Sequence, residues 1–346
     1  MIKFYKIIIF YFLFMNFSLA NENVYKTNFI NINVQNELIA DAKDKKIEEI
    51  KILSFETIIK KILIEKDYKK IKRDIIKNNE INFFVKNIII ENEFISKNKY
   101  YADIKINFDK YEIINFLRNK KINYTDVESE NILIIATEKN NLSQEGLTKD
   151  NSFYKKFTIK KYELMNFIYP DLSLNDRFIA PYKKIINQDI KSLKKLSKKY
   201  QVENLLIINR DLTKNSELIN IDIYNIFTNK IENIAIIEMS INSNYQNDIL
   251  DNITEWWKIN NLINNSEINS YLCLINSSNM NDIMKINLKI NSVSQIKSNI
   301  LERIDYGKNL NNLIFYGSLN NLSKKLLNDN IILNVNNNEC QISKLD

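Results

Sequence analysis

Residues 100–122, YYADIKINFDKYEIINFLRNKKI, change period in the middle, and that change limits what the chain can fold into. Ala102, Ile104, Ile106 and Phe108 alternate with Tyr101, Asp103, Lys105 and Asn107. A period of two describes a strand with one buried and one wet face. Asp109 then stands where a helix N-cap belongs, and Glu112 lies three residues on, the Asp form of a capping box. Ile113, Ile114, Phe116 and Leu117 follow at helical spacing. The apolar run NILIIATE at 131–138 is a buried strand. A strand that hands over to a helix and then to another strand requires a mixed fold.

The same reading extends along the chain. A strand at 23–34, a helical arc of Phe55, Ile58, Ile59 and Ile62, a short helix at 68–77 and a strand at 86–97 precede the opening stretch. The order over 21–140 is then β-α-β-β-α-β, a ferredoxin-like (split βαβ) arrangement. Residues 139–187, with Gly146, Pro170 and Pro181, read as loop, so 141–187 is expected to be a linker or insertion. A helix at 188–200, strands at 202–209, 219–223 and 231–239, and a helix at 246–263 form an αβββα unit over 188–265. The strand at 131–138 alternatively belongs to this unit. Residues 268–346 repeat the βαββαβ order with one further strand. The expected fold class is α+β, built from successive small α/β units.

The N-terminus reads as an export signal. Lys3 and Lys6 precede an apolar run from Ile7 to Met15, and Ser18-Leu19-Ala20 offers small residues for cleavage after Ala20. The apolar run is too short for a spanning helix, so 1–20 is expected to be a secretory signal peptide, with a retained anchor as the alternative. The expected location is the periplasm. The formal charge of the full chain is +7. Its basic residues are mostly Lys interspersed with Asp and Glu, the pattern of solvated faces, so no nucleic-acid partner is expected. YKKIKRDIIKNN and KSLKKLSKKY fit amphipathic helices; weak contact with a membrane surface is the alternative.

Composition narrows the chemistry. There is no His, which removes Ser-His-Asp and Cys-His triads and nearly all ordinary zinc sites. Three glycines cannot build a P-loop or a dinucleotide fingerprint. No catalytic, cofactor or metal residues are therefore assigned, and an enzyme is not expected. Carboxylate pairs remain on paper: Glu48 with Glu49, and Glu91 with Glu93, which an even strand would place on one face. A solvated surface explains both pairs. Trp256 and Trp257 diverge by about 100° on a helix, so one can anchor the core while Trp256 reaches a neighbouring unit or a partner. Cys273 and Cys340 are the only cysteines, both in strands of the last unit. In an oxidising compartment they invite a disulfide; two buried thiols are the alternative.

The block YYADIKINFDKYEIINFLRNKKI…ILIIATE resembles a bacterial exported family called domain of unknown function 2066. PDLSLNDRFIAPYKKIINQDIKSLKKLSKKYQVENLLII resembles that family's next segment, where Asp171 and Asp176 match an Asp-containing loop but the usual Gly-Asp-Leu is absent. NNLIFYGSLNNLSKKLLNDNIILNV is similar to its tail, with Tyr316-Gly317 ending a strand. The middle unit is similar in layout to the N-terminal domain of TolB and to CsgG-type envelope proteins, a likeness of fold alone. The resemblance implies a periplasmic protein and no reaction. The expectation is an exported, non-catalytic interaction or assembly module working with cell-envelope proteins. The alternatives are a carboxylate-based hydrolase and a carrier of a lipid or other apolar ligand.

Overall fold

The computed structural model describes residues 24–77, 81–213, 216–240, 245–277, 279–305, 307–336 and 339–345; the expected signal peptide and its cleavage point at Ala20 lie outside them. The described residues form two compact units, 24–58 with 81–110, and 59–77 with 111–345. The fold is α+β.

The chain begins with β1 (Ile30–Gln35), α1 (Ile39–Ile62), α2 (Glu65–Lys77), α3 (Ile81–Phe84), β2 (Val85–Ile95), β3 (Lys99–Phe108) and α4 (Lys110–Asn119). β3 lies between β1 and β2, antiparallel to both. β1 and β2 therefore run parallel with a helical crossover, which is the split βαβ expected. The alternation of the opening stretch decides its packing: Ala102, Ile104, Ile106 and Phe108 are buried. Phe55 stacks on Phe84 with centroids 4.7 Å apart and tilts against Phe108 at 5.6 Å. The predicted arc on α1 is buried throughout, from Phe55 to Ile62.

The second unit continues with β4 (Asn131–Lys139), β5 (Gln144–Glu145), α5 (Ser152–Lys156), β6 (Lys161–Tyr162), β7 (Met165–Ile168), α6 (Leu174–Ile179), α7 (Tyr182–Ile186), α8 (Ile190–Tyr200), β8 (Asn204–Asp211), β9 (Ser216–Asn225), β10 (Lys230–Ser240) and α9 (Tyr245–Asn260). Its sheet runs β10-β9-β8-β4-β7-β6, with β5 on β4. β4 is parallel to both β8 and β7. One face packs Ile132, Ile134, Leu206 and Ile208 with Ile249 and Ile253 of α9. The other packs Leu133, Ile135, Leu205 and Ile207 with Leu193 and Leu196 of α8. Covering on both faces explains why β4 and β8 read as unbroken apolar runs.

Two expectations change here. The strand at 131–138 does not close the first sheet; it lies at the centre of this one, the alternative placement. Residues 141–187 contribute β5 to β7 and α5 to α7 to the second unit. Phe153, Phe157, Met165 and Phe167 are buried, anchors that a solvated linker lacks. Their elements span two to six residues, too short to show a period.

The unit ends with β11 (Ile268–Asn276), α10 (Met280–Ser292), β12 (Ile296–Asp305), β13 (Lys308–Tyr316), α11 (Leu319–Asn328), β14 (Ile331–Asn336) and β15 (Glu339–Lys344). The sheet order is β12-β13-β11-β15-β14. β12 is antiparallel to β13, and β13 to β11, so β11-α10-β12 is again a split crossover. The last hairpin inserts β15 beside β11 in parallel, with Cys273 opposite Cys340. Their Cα atoms are 4.3 Å apart and the two are joined in a disulfide. Gly317 ends β13 at φ +71°, where a Cβ would stand 3.1 Å from the Asn264 backbone nitrogen. Glycine avoids both the left-handed penalty and that clash.

Within this unit the last sheet is fastened through the segment between α4 and β4. Lys325 on α11 pairs with Asp126, each side chain 2 % exposed. Ser294 Oγ donates to Asp126 at 2.8 Å and accepts from Lys325 at 2.6 Å. Arg118 and Tyr124 both donate to the Ser294 carbonyl, at 2.6 and 3.2 Å. The Arg118 guanidinium also lies 4.1 Å from the centroid of Tyr316. A charge pair this deep is tolerated because its remaining hydrogen-bonding capacity is met locally.

Candidate functional site

Helix α9 carries Asp251, Thr254, Glu255 and Lys258 at i, i+3, i+4 and i+7, so they share one face. The opposite face buries Ile249, Leu250 and Ile253 and makes the helix amphipathic. The polar stripe borders a cleft of about 120 Å³, completed by Lys60, Leu63, Glu65, Tyr68 and Glu163.

Most of the charges in the cleft have structural partners. Glu255 accepts the Glu65 amide on both carboxylate oxygens, at 3.2 Å each, and so satisfies an orphan donor at the start of α2. Burial pushes the Glu255 carboxyl up, against the Glu65 amide and Lys258, which favour its charged form. Lys258 Nζ donates to the Lys60 carbonyl at 2.8 Å and lies 2.7 Å from Glu163 Oε2. Glu163 sits in the β6–β7 turn at φ +48°, a left-handed conformation that costs a non-glycine residue on the order of 1 kcal/mol. Tyr162 donates to Asp251 at 2.7 Å. Nearby, burial pushes the Lys61 ammonium down. Thr254 differs from these groups: it is 2 % exposed and its hydroxyl has no partner in the protein.

The residues singled out in the sequence lie elsewhere. Glu48 and Glu49 pair with Lys51 and Lys46 on the surface of α1, at 2.6 and 3.0 Å. Glu91 and Glu93 do not form the pair that an even strand would make. Asn92 takes φ +53° and the register with β3 shifts between Glu91 and Phe94. Glu93 turns to Lys43 at 2.7 Å and to Tyr100 at 3.1 Å, and its hydrogen bond from Lys43 holds its carboxyl low. Asp171 and Asp176 build a corner. Ser173 and Asp176 form the capping box of α6, and Asp176 also accepts Lys199 at 2.6 Å and Tyr200 at 2.9 Å. Trp256 is half-buried on α9 and donates to Glu232 at 3.1 Å, whereas Trp257 packs on the core and donates to the Val127 carbonyl at 2.8 Å. The cleft was missed because a polar i, i+3, i+4, i+7 stripe is also the signature of an ordinary wet helix face.

A second feature is the uncovered face of the last sheet. Asn311, Leu313 and Phe315 of β13 point into the core, while the intervening Asn312 points out. Asn312 is opposite Leu272 on one side and Ile300 on the other. Cross-strand partners share a face, so Leu272 and Ile300 stand outward with it. They are 57 % and 47 % exposed, and Ile268, near the end of the same face, is 51 % exposed.

No protein-family model matches the chain. No curated protein matches it. Among solved structures, the LpoB C-terminal domain from Salmonella enterica aligns with 38 % of this chain and 95 % of its own, at 11 % identity and a TM-score of 0.21. Among the described residues no helix is long and apolar enough to cross a membrane. Among the same residues no group of three or more Asp, Glu, Cys or His side chains is placed to hold a metal ion.

Proposed function

We propose that this chain is an exported, non-catalytic cell-envelope protein that works as an interaction or assembly module. The observation that carries the proposal is the open face of the last sheet. A sheet with helices on one side and Leu272, Ile300 and Ile268 bare on the other presents an apolar surface that protein contact would cover. The disulfide between β11 and β15 supports the exported reading, because such bonds persist in oxidising compartments. The resemblance to domain of unknown function 2066 read from the sequence would imply the same lineage.

The cleft supports a different assignment less well. A carboxylate hydrolase needs an acid with a raised pKa beside a free second carboxylate. Glu255 is raised, but its oxygens are committed to the Glu65 amide, Glu163 to Lys258 and Asp251 to Tyr162.

A photo-crosslinking residue at Leu272 in living cells tests the proposal. A discrete protein adduct, lost in Ile300→Lys with the melting temperature unchanged, is expected. Lipid adducts alone, or no adduct, would overturn it.

A further inference from the structure

We propose that α6 and α8 form a docking surface for an anionic lipid membrane, a contact separate from the bare face of the last sheet. Two observations meet there. The first is apolar. Leu174 and Phe178 are 77 % and 88 % exposed. One bare apolar side chain is ordinary, but these two stand four apart on α6 and share a face. They lie about 200° around the helix from the buried Asp176. The second is charge. Residues 171–200 carry eight Lys and Arg against three Asp, a net of five positive charges in a chain whose total is seven. Lys191, Lys194, Lys195 and Lys198 fall at i, i+3, i+4 and i+7 on the exposed side of α8. Of these, Lys194, Lys195 and Lys198 pair with no carboxylate among the described residues.

The apolar pair is held in place before any partner arrives. Asp176 closes the capping box of α6 with Ser173 and accepts Lys199 and Tyr200 at 2.6 and 2.9 Å. Those bonds tie α6 to the last turn of α8, so the apolar pair and the lysine stripe keep a fixed, short separation. The Asp171 amide donates to Tyr200 at 2.7 Å, and Leu172 takes φ +54° just before the cap. A wedge already ordered loses little conformational freedom on binding. The chemistry selects a lipid surface. A nucleic acid or a free phosphate would answer the lysines and leave Leu174 and Phe178 in water. An acidic protein would need a pocket shaped to two protruding side chains, whereas the boundary of a bilayer yields to a convex one. Lysines are point charges on flexible stems, suited to a diffuse negative potential rather than to one directed acceptor. Anionic headgroups then meet the ammoniums while Leu174 and Phe178 enter the acyl boundary, the division of labour of an interfacial helix.

A bimane fluorophore on Asn175→Cys of the full chain reads α6 itself, so the apolar run Ile7–Met15 does not supply the signal. Both native cysteines are buried and joined to each other, which leaves the label one target. The chain is titrated with vesicles of phosphatidylcholine alone and with about one-third phosphatidylglycerol, an anionic surface. A saturable blue shift on the anionic vesicles is expected, at least about ten-fold weaker on the neutral ones and weakened by salt. Lys194→Gln with Lys195→Gln and Lys198→Gln should weaken binding about a hundred-fold, since each lysine near such a surface contributes about a factor of five. Leu174→Ser with Phe178→Ser should weaken it about ten-fold or more, with the melting temperature unchanged because both side chains already stand in water. No shift on anionic vesicles overturns the proposal, as does an equal shift on neutral ones. An undiminished shift in Leu174→Ser with Phe178→Ser overturns the wedge, and a lowered melting temperature there means that the pair serves the fold. A shift with a poly-glutamate peptide as large as with the vesicles assigns the surface to an acidic protein and overturns the lipid assignment.

Discussion

Replacing Lys325 with Met tests the account of how the last sheet is held. Lys325 and Asp126 are each 2 % exposed and share Ser294 as a common hydrogen-bonding partner. Methionine fills much of the lysine stem's volume, so the change isolates the charge. It leaves a carboxylate out of water with its cation gone. Breaking a buried pair from one side costs about 3–5 kcal/mol. In a unit of this size that corresponds to roughly 10 °C in Tm. Urea unfolding followed by tryptophan fluorescence is the assay, because both tryptophans lie in the same compact unit as the pair. The double variant Lys325→Met with Asp126→Leu removes both charges and should recover most of the loss, to within about 1–2 kcal/mol of the parent. A loss below about 1 kcal/mol for Lys325→Met would refute the reasoning, as would a double variant no better than the single one.

Reducing Cys273–Cys340 releases a constraint over 67 residues of separation and should lower stability by about 4 kcal/mol on the chain-entropy model, measured by urea unfolding with and without reductant. Burial pushes the Asp176 carboxyl up, but hydrogen bonds from Lys199, Ser173 and Tyr200 outweigh it and hold the group below its ordinary value. Its folded pKa is depressed, so its contribution is present above the unfolded value near about 3.9 and is lost as pH falls below it. Asp176→Asn should therefore flatten the acid limb of a Tm-versus-pH profile; an unchanged limb would count against the assignment. Phe153 is fully buried and stacks on Phe157 with centroids 4.8 Å apart, so Phe153→Ala should cost about 3–5 kcal/mol by the same unfolding assay, where a linker residue would cost almost nothing.

The strand and helix periods were legible wherever an element was long enough to show them. The switch at Asp109, the arc from Phe55 to Ile62 and the apolar runs of β4 and β8 all carry burial in their spacing. Partnership was harder to read. NILIIATE looks the same whether it ends the first sheet or centres the second, because an apolar run shows burial on both faces and not its neighbours. The segment at 141–187 hid its core residues in elements of two to six residues. The cleft was invisible for a different reason. Asp251, Thr254, Glu255 and Lys258 come to line a cleft only when Glu163, far away in sequence, arrives on a left-handed turn. The candidate pairing of Glu91 with Glu93, which a solvated face explained better, is broken by a comparable local event, the bulge at Asn92.

The position of β15 bears on the order in which the chain matures. The strand lies inside the last sheet, parallel to β11 and flanked by β14, although it follows every other strand of that sheet in sequence. A ribosome releases β11, α10, β12, β13, α11 and β14 before it, so that sheet lacks an interior strand until β15 emerges. The β4–β8 sheet suffers no such delay, because its own strands and α9 all precede residue 261. Translation thus presents the β4–β8 sheet before the last sheet can close, and the interval between them is when β11 lacks the strand that covers its edge. A chaperone would be of most use during that interval.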